Sequence, residues 1–497
     1  MKKKSGKTIR VKTKGRVVQK LAAKRKIVKT VNPPLKKREP RTEPLPDAPP
    51  DSRLMISVSG IRGIVGRGLT PEVVAKYAAA FGSWCNGGKI VVGRDSRVSG
   101  EMVKTAVFAG LLATGCRVVD IGITPTPTVE IAVRDLNAHG GIAITASHNP
   151  IEWNALKLIG PTGMFLTQIE GNEVIETALK ETINYSAWDR LGKIEYYDYA
   201  IQNHIDRILE IDLIDVEAIR RRKFKIVVDT VNGAGGLLFP RLLQTLGCDV
   251  AMLNGEAHGI FPRNPEPSAE NLSALSEAVV HSGADLGFAV DPDADRLALI
   301  TEKGTAAGEE ATLALAVEYV LSRRKGDVVV NASTTSAIDD IAGRYGATVH
   351  RTKIGEINVS TKMKEADAVI GGEGNGGVIL PDVHLGRDAA TGAALILQHL
   401  AAAERTLSRC VDELPRYAMI KDRIVTDTVD LTAIEKHLTG NHASVTIDRT
   451  DGLKLLLPGA WVHIRRSNTE PIARIIAEAQ TEADARRLIE SVKRAMA

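Results

Sequence analysis

The chain has 497 residues and a formal charge of +5, and at about 100 to 200 residues per domain it is too long for a single hydrophobic core. No uninterrupted apolar run approaches the roughly 18 residues of a membrane helix, which excludes a spanning segment of that kind. Four widely spaced cysteines, Cys85, Cys116, Cys248 and Cys410, contain no Cys-x-x-Cys, which excludes a zinc ribbon or disulfide framework and makes a reducing cytoplasm the expected compartment.

The charge is unevenly spread. Residues 1–50 hold seventeen Lys or Arg against Glu39, Glu43 and Asp47, a local charge of +14 that leaves −9 for the rest. With Pro33, Pro34, Pro40, Pro44, Pro46, Pro49 and Pro50 in the same stretch, residues 1–53 are predicted to be a disordered basic tail. A weak, salt-sensitive contact with polyanions is the most such a tail offers, because it lacks the interleaved aromatics of a specific nucleic-acid reader. An alternative is that the chain effectively starts at Met55. The cationic start has no apolar stretch behind it, so no secretory signal is expected.

From Ile56 onward, short apolar strands alternate with amphipathic helices, the pattern of parallel α/β units. Predicted strands are Lys89–Val92, Arg117–Ile121, Gly141–Ile144, Phe224–Val228, Leu286–Val290 and Val328–Asn331, with helices over Pro71–Trp84 and Ala311–Arg324. Domains are expected at 54–203, 204–302, 303–412 and 413–497. The last reads as a smaller α+β sheet domain, with strands Arg423–Thr426, Ser444–Asp448, Ala460–Arg465 and Ala473–Ala479.

Several segments carry chemistry. Ser59-Gly60-Ile61-Arg62-Gly63 and Gly93-Arg94-Asp95-Ser96-Arg97 place arginines at strand or loop ends. Thr145-Ala146-Ser147-His148-Asn149-Pro150 opens directly from an apolar strand and offers Ser147 as a nucleophile. Adjacent side chains on an extended chain point apart, so His148 is not expected to pair with it in the manner of a hydrolase, and no Gly-x-Ser-x-Gly elbow is present. Val231-Asn232-Gly233-Ala234-Gly235-Gly236 reads as a helix-entry turn in preference to a phosphate cradle. Asp291-Pro292-Asp293-Ala294-Asp295-Arg296 sets three carboxylates at alternate positions, a spacing suited to one Mg²⁺. An EF-hand is disfavoured because Arg296 stands at the sixth position of the loop, where that motif needs glycine for its sharp turn. Gly371-Gly372-Glu373-Gly374-Asn375-Gly376-Gly377, after the strand-like Ala368–Ile370, offers flexible backbone, a carboxylate and an amide for sugar hydroxyls, and lacks the Lys-Ser/Thr of a P-loop. Arg465-Arg466-Ser467-Asn468-Thr469-Glu470-Pro471 combines the groups that surround a phosphate dianion.

In this order, and over residues 55–497, the segments resemble the α-D-phosphohexomutases. The resemblance implies three similar mixed α/β domains and a smaller C-terminal α+β domain around a central active-site cleft. It implies phospho-Ser147 as carrier, with Mg²⁺ held by Asp291, Asp293, Asp295 and the Ser147 phosphate. Arg62, Lys157 (in Asn154-Ala155-Leu156-Lys157) and Arg296 would surround the transferring group, with His148 shaping the loop or aiding proton transfer. Lys353, Glu373 and Asn375 would contact the sugar, and Arg465, Ser467, Asn468 and Thr469 the distal phosphate. The implied reaction interconverts hexose 6-phosphate and hexose 1-phosphate through a hexose 1,6-bisphosphate, with a last domain that closes over the substrate. Small-molecule sugar phosphates are the expected partners, and the oligomeric state is open. Gly377 stands where many members have histidine, which leaves the general base unassigned. The Glu-x-Asn-Gly-Gly loop, Thr352-Lys353-Ile354-Gly355-Glu356 and Asp451-Gly452-Leu453-Lys454 look most like archaeal-type phosphoglucosamine mutases, while Asn468 is shared with phosphomannomutase and phosphoglucomutase sequences. A silent sugar-phosphate scaffold is the alternative from another class.

Overall fold

The computed structural model describes residues 54–57, 60–425, 431–441, 444–466 and 472–496. The predicted tail lies outside them. The first sheet is built from β1 (Met55–Ser57), β2 (Gly60–Ile64), β3 (Lys89–Arg94), β4 (Arg117–Ile123), β5 (Gly140–Ile144), β6 (Trp153–Ile159) and β7 (Lys193–Tyr196), in the order β1-β2-β6-β5-β3-β4-β7. The second holds β8 (Lys225–Asp229), β9 (Asp249–Leu253), β10 (Leu286–Val290) and β11 (Leu297–Thr301), in the order β11-β10-β8-β9. The third holds β12 (Val328–Asn331), β13 (Val349–Thr352), β14 (Ile370–Glu373) and β15 (Gly377–Ile379), in the order β13-β12-β14-β15. The fourth, antiparallel throughout, holds β16 (Ala418–Val425), β17 (Thr446–Asp448), β18 (Leu453–Leu457), β19 (Ala460–Arg466) and β20 (Ile472–Ala479).

One four-strand pattern recurs in the first three sheets. A first strand (β3, β8, β12) pairs in parallel with a second (β4, β9, β13) and a third (β5, β10, β14). The third strand then pairs antiparallel with a fourth (β6, β11, β15). The turn from third to fourth strand spans 145–152, 291–296 and 374–376, and these turns carry the serine, aspartate and sugar motifs.

Helices cover both faces of these sheets, which is why central strands such as Leu286-Gly287-Phe288-Ala289-Val290 are apolar without alternation and buried throughout. Helix Pro71–Trp84 starts on the Thr70 cap with proline in its first turn and buries Val74, Tyr77, Ala78 and Phe81 against the first sheet. The second and third sheets share one core, joined by helices Ala311–Arg323 and Ala389–Ala403. The C-terminal domain has its own core around Leu455, Val462, Ile475 and Ile489. No described helix is long and apolar enough to cross a membrane.

Two elements differ from expectation. β16 begins at Ala418, ahead of the predicted Arg423, because its whole length pairs with β20, from Ala418 opposite Ala479 to Val425 opposite Ile472. Gly371, Gly372 and Glu373 belong to β14, so only 374–376 form a turn. Close approach explains the glycines better than flexibility does: a Cβ at Gly371 would lie 2.5 Å from the Val329 carbonyl oxygen, and one at Gly372 would lie 2.1 Å from that of Gly377.

Candidate active site

Ser147 is buried and has φ of +49°, a left-handed conformation that serine adopts only under constraint. The constraint is visible. Arg97 donates from Nη2 to the carbonyls of Ser147 (2.6 Å) and Asn149 (2.7 Å), and from Nη1 to those of Pro150 (2.6 Å) and Trp153 (3.1 Å). Asp95 holds Arg97 at 3.0 Å and accepts from Thr145 Oγ1 at 2.6 Å, while Thr145 Oγ1 accepts from the Ser147 N–H at 3.0 Å. The same turn corrects the expectation for His148. Its Nδ1 lies 3.3 Å from Ser147 Oγ, because the left-handed residue swings consecutive side chains to one side. Burial, with Arg296 and Arg62 nearby, pushes the His148 pKa well below its ordinary value, so the ring is neutral. Arg62 reaches the loop through Asn149 Oδ1 at 2.6 Å.

Across the sheet boundary, Ser147 Oγ donates to Asp291 Oδ2 at 2.7 Å. Asp291, Asp293 and Asp295 are fully buried, each offering an oxygen within 4.8 Å of the others, a group that could hold a metal ion. Burial and the neighbouring Asp295 and Asp293 push the Asp291 pKa well up. Burial also opposes ionisation of Asp295, but Arg387, Lys157 and Arg296 hold it below the ordinary carboxylate range. Lys157 Nζ donates to Asp293 Oδ2 (2.7 Å) and Asp295 Oδ2 (3.3 Å), and Thr126 Oγ1 donates to Asp293 Oδ2 (2.6 Å). Asp293 Oδ1 and Asp295 Oδ1 remain buried and accept no hydrogen bond, which is the donor set a hard oxygen-liking cation such as Mg²⁺ fits. Arg296 pairs with Glu266 at 2.7 Å. The turn at Val231–Gly236 enters helix Gly235–Thr245, as expected, and supports the aspartate turn from behind: Ala234 N–H donates to the Pro292 carbonyl at 2.8 Å.

Glu373 ends β14 with Oε1 accepting from Asn331 Nδ2 (3.0 Å) and the Gly355 N–H (2.9 Å), and Oε2 accepting from Arg387 Nη1 (2.7 Å). Burial opposes its charge, but Arg387 leads the interactions that lower its pKa and keep it ionised. Asn375 in the adjoining turn has a buried Oδ1 without a partner. Arg465, at the end of β19, interacts electrostatically with Glu373, which places the C-terminal sheet beside the sugar turn. Lys353, just beyond β13, is exposed and is not drawn into this cluster. Ser467, Asn468 and Thr469 lie outside the described residues.

The structure therefore gathers Arg62, Ser147, His148, Lys157, Asp291, Asp293, Asp295 and Arg296 at one centre, with Glu373 joined to it through Arg387. Sequence reasoning missed Thr126, Arg387 and Glu356, and saw Asp95 and Arg97 only as part of a charged loop end. Their partners are distant in sequence, 167 residues for Thr126 and Asp293. A signal for Arg387 was available in Gly377, a missing side chain whose space something else must fill.

Known proteins bear on this centre directly. Models of the phosphoglucomutase/phosphomannomutase α/β/α domains I, II and III match residues 53–185, 202–304 and 309–417, and that of the C-terminal domain matches 421–495. A Thermococcus kodakarensis phosphoglucomutase/phosphomannomutase is 43% identical over 440 residues, 87% of this chain and 96% of that protein. A probable phosphoglucosamine mutase of Methanopyrus kandleri is 38% identical over 86% of this chain and 95% of that one. The crystal structure of a Burkholderia thailandensis phosphoglucomutase/phosphomannomutase family protein superposes with a TM-score of 0.77 at 28% identity, covering 89% and 97% of the two chains. With its serine turn and carboxylate trio joined at 2.7 Å, the chain belongs to the phosphoglucomutase/phosphomannomutase family and is a phosphohexomutase, an isomerase of hexose phosphates.

Proposed function

We propose that Ser147 is the phosphoryl carrier and that glucosamine phosphate is the preferred substrate. The observation that carries the first part is the Ser147 Oγ contact with Asp291 at 2.7 Å, with Lys157 bonded to the neighbouring Asp293 and with Arg62 and Arg296 acting on the adjacent His148. In the forward half-reaction the Oγ–P bond of phosphoserine breaks as a sugar hydroxyl oxygen bonds phosphorus and releases its proton. The resulting hexose 1,6-bisphosphate returns its other phosphate to Ser147. Neutral His148, with Nδ1 3.3 Å from Oγ, takes up the sugar hydroxyl proton and passes it to the freed Ser147 Oγ, and in the second half it takes the Ser147 proton and returns it to the departing sugar oxygen. Asp291, Asp293 and Asp295 would hold Mg²⁺, which when bound supplies charge neutralisation at the transferring phosphoryl group. Lys157, Arg62 and Arg296 add fixed positive charge, and burial of the serine limits hydrolysis of its phosphate. Glu373 and Asn375 orient the sugar, Arg465 with Ser467, Asn468 and Thr469 takes the distal phosphate, and Lys353 reaches the ligand once it is bound.

One observation supports an amino sugar: several archaeal relatives carry the name phosphoglucosamine mutase. Ionised Glu373 is acceptor-only and accepts from a hydroxyl or an ammonium group alike. The 43% identical phosphoglucomutase/phosphomannomutase favours glucose or mannose phosphate as the second reading. Comparing kcat/KM for the 6-phosphates of glucosamine, glucose and mannose, with Mg²⁺ and a bisphosphate activator, decides between them. Ser147→Ala should lose the single added phosphate seen by intact mass and lose about a thousandfold or more in turnover. Near-normal isomerase activity in that variant would end the carrier assignment.

A further inference from the structure

Arg387 is a buried guanidinium held by three carboxylates from separate parts of the fold. Nε donates to Glu356 Oε2 (2.9 Å), Nη1 to Glu373 Oε2 (2.7 Å) and Nη2 to Asp295 Oδ2 (2.8 Å). Asp295 belongs to the aspartate turn, Glu373 to the sugar strand, and Glu356 to the first turn of helix Glu356–Ala366. Its backbone is fixed on both sides. A Cβ at Gly386 would fall 1.8 Å from Glu130 Oε2, and Asp388 donates its N–H to the Val378 carbonyl at 2.8 Å while capping helix Ala389–Ala403.

Gly377 completes the arrangement. A Cβ there would lie 2.3 Å from Arg387 Cδ and 2.9 Å from Cγ, so the arginine stem fills the space a side chain at 377 would need. The Gly377 backbone lies in a β-strand and needs no left-handed φ, so close approach of the stem is what demands glycine.

We propose that Arg387 is a positioning residue that fastens the sugar-side carboxylate Glu373 to the cation-side carboxylate Asp295, with Gly377 kept as glycine to admit its stem. The planar fork suits this task. It sets the direction of one oxygen on each of two carboxylates that must face the same substrate, which a lysine ammonium cannot do simultaneously. The inference deepens the phosphohexomutase mechanism above and rests on its reading of Glu373 as the sugar contact.

Arg387→Lys, Arg387→Gln, Gly377→Ala and the double variant Gly377→Ala/Arg387→Gln test it with two readouts. The first is kcat and KM on glucosamine 6-phosphate. The second is Mn²⁺ affinity without substrate, followed by electron paramagnetic resonance. Arg387→Lys and Gly377→Ala should raise KM about tenfold or more with a smaller change in kcat. Removing positive charge 2.8 Å from Asp295 should make Arg387→Gln bind Mn²⁺ about threefold to tenfold tighter, whereas Arg387→Lys stays within about twofold of wild type. A merely structural defect would weaken both properties together. Gly377→Ala should add little in the Arg387→Gln background, because both changes act on one side chain. If Arg387→Gln fails to fold, Arg387→Lys and Gly377→Ala still decide through KM. Unchanged KM in Arg387→Lys and Gly377→Ala, unchanged Mn²⁺ affinity in folded Arg387→Gln, or simple additivity in the double variant overturns the proposal. A wild-type protein that turns over no hexose phosphate would sink the mechanism instead, and the Mn²⁺ affinities would then judge Arg387 alone.

Discussion

At the scale of single residues, the centre depends on Arg97 as much as on Ser147. The Arg97 guanidinium is fully buried against Asp95 and clamps three carbonyls of the serine turn and that of Trp153 at the start of β6, which holds the left-handed φ that brings Ser147 Oγ and His148 Nδ1 together. Arg97→Ala leaves Asp95 buried without its cation, and the expected cost is about 3–5 kcal/mol in a urea titration followed by circular dichroism. Ser147, Asp291, Asp293 and Asp295 were legible in the sequence because each motif is complete within six residues of chain. Arg97, Thr126 and Arg387 were not, because an isolated arginine or threonine has no meaning until folding brings carboxylates and carbonyls to it from other segments, 50 residues away for Arg97 and Ser147, 92 for Arg387 and Asp295 and 167 for Thr126 and Asp293. The mutual orientation of Ser147 and His148 was misjudged for a related reason: the dihedral that reverses it is imposed by Arg97, outside the motif.

Among the elements, two junctions make testable demands. A Cβ at Gly233 would sit 2.7 Å from Pro292 Cα and its carbonyl oxygen, so the helix-entry turn is the floor on which the aspartate turn rests. Gly233→Ala should shift Asp291 and Asp293 and raise the Mg²⁺ concentration for half-maximal turnover about tenfold or more, read from a cation titration of activity. The second junction docks the C-terminal sheet on the third sheet. Lys454 Nζ donates to the Ala332 carbonyl at 2.6 Å, His463 Nδ1 meets Ser333 Oγ at 2.8 Å, and Ser336 N–H donates to Glu478 at 2.9 Å. Burial, reinforced by Arg351, pushes the Lys454 pKa down to about 7, against an ordinary value near 10.4. Between those values the unfolded chain holds a proton that the folded chain does not, so stability rises with pH across the window, and the burial cost is fully felt below it. Relative to Lys454→Met, the wild-type protein should gain up to about 1.4 kcal/mol per pH unit from pH 7 to 10, measured by parallel denaturant titrations. β19 and β20 were readable from their apolar runs, but β18, which carries Lys454, was not among the expected strands, and the docking was not readable either, since Lys454 and His463 look like surface residues until their partners are known.

For the whole molecule, charge and architecture separate cleanly. Residues 1–50 carry +14 and the remainder −9, and the family match begins at residue 53. Deleting residues 1–50 should abolish retention on a heparin column while leaving kcat/KM unchanged, and a fall in kcat/KM would assign the segment a part in turnover. The three α/β domains were visible as alternating strands and helices, and the C-terminal domain as a smaller sheet. What the linear order concealed is that the serine, aspartate and glycine-rich motifs meet at one structural address: the end of the third strand and its turn to the fourth, in a pattern built three times. A shared address makes the division of labour modular. The three turns are short, at 145–152, 291–296 and 374–376, and the strands that launch them are buried throughout. Substitutions confined to 374–376 leave the serine and aspartate turns unaltered in sequence, whereas a change at Arg387 reaches Asp295 of the second turn as well. In a protein of this design, a new substrate is a change of vocabulary at one turn and not a change of fold.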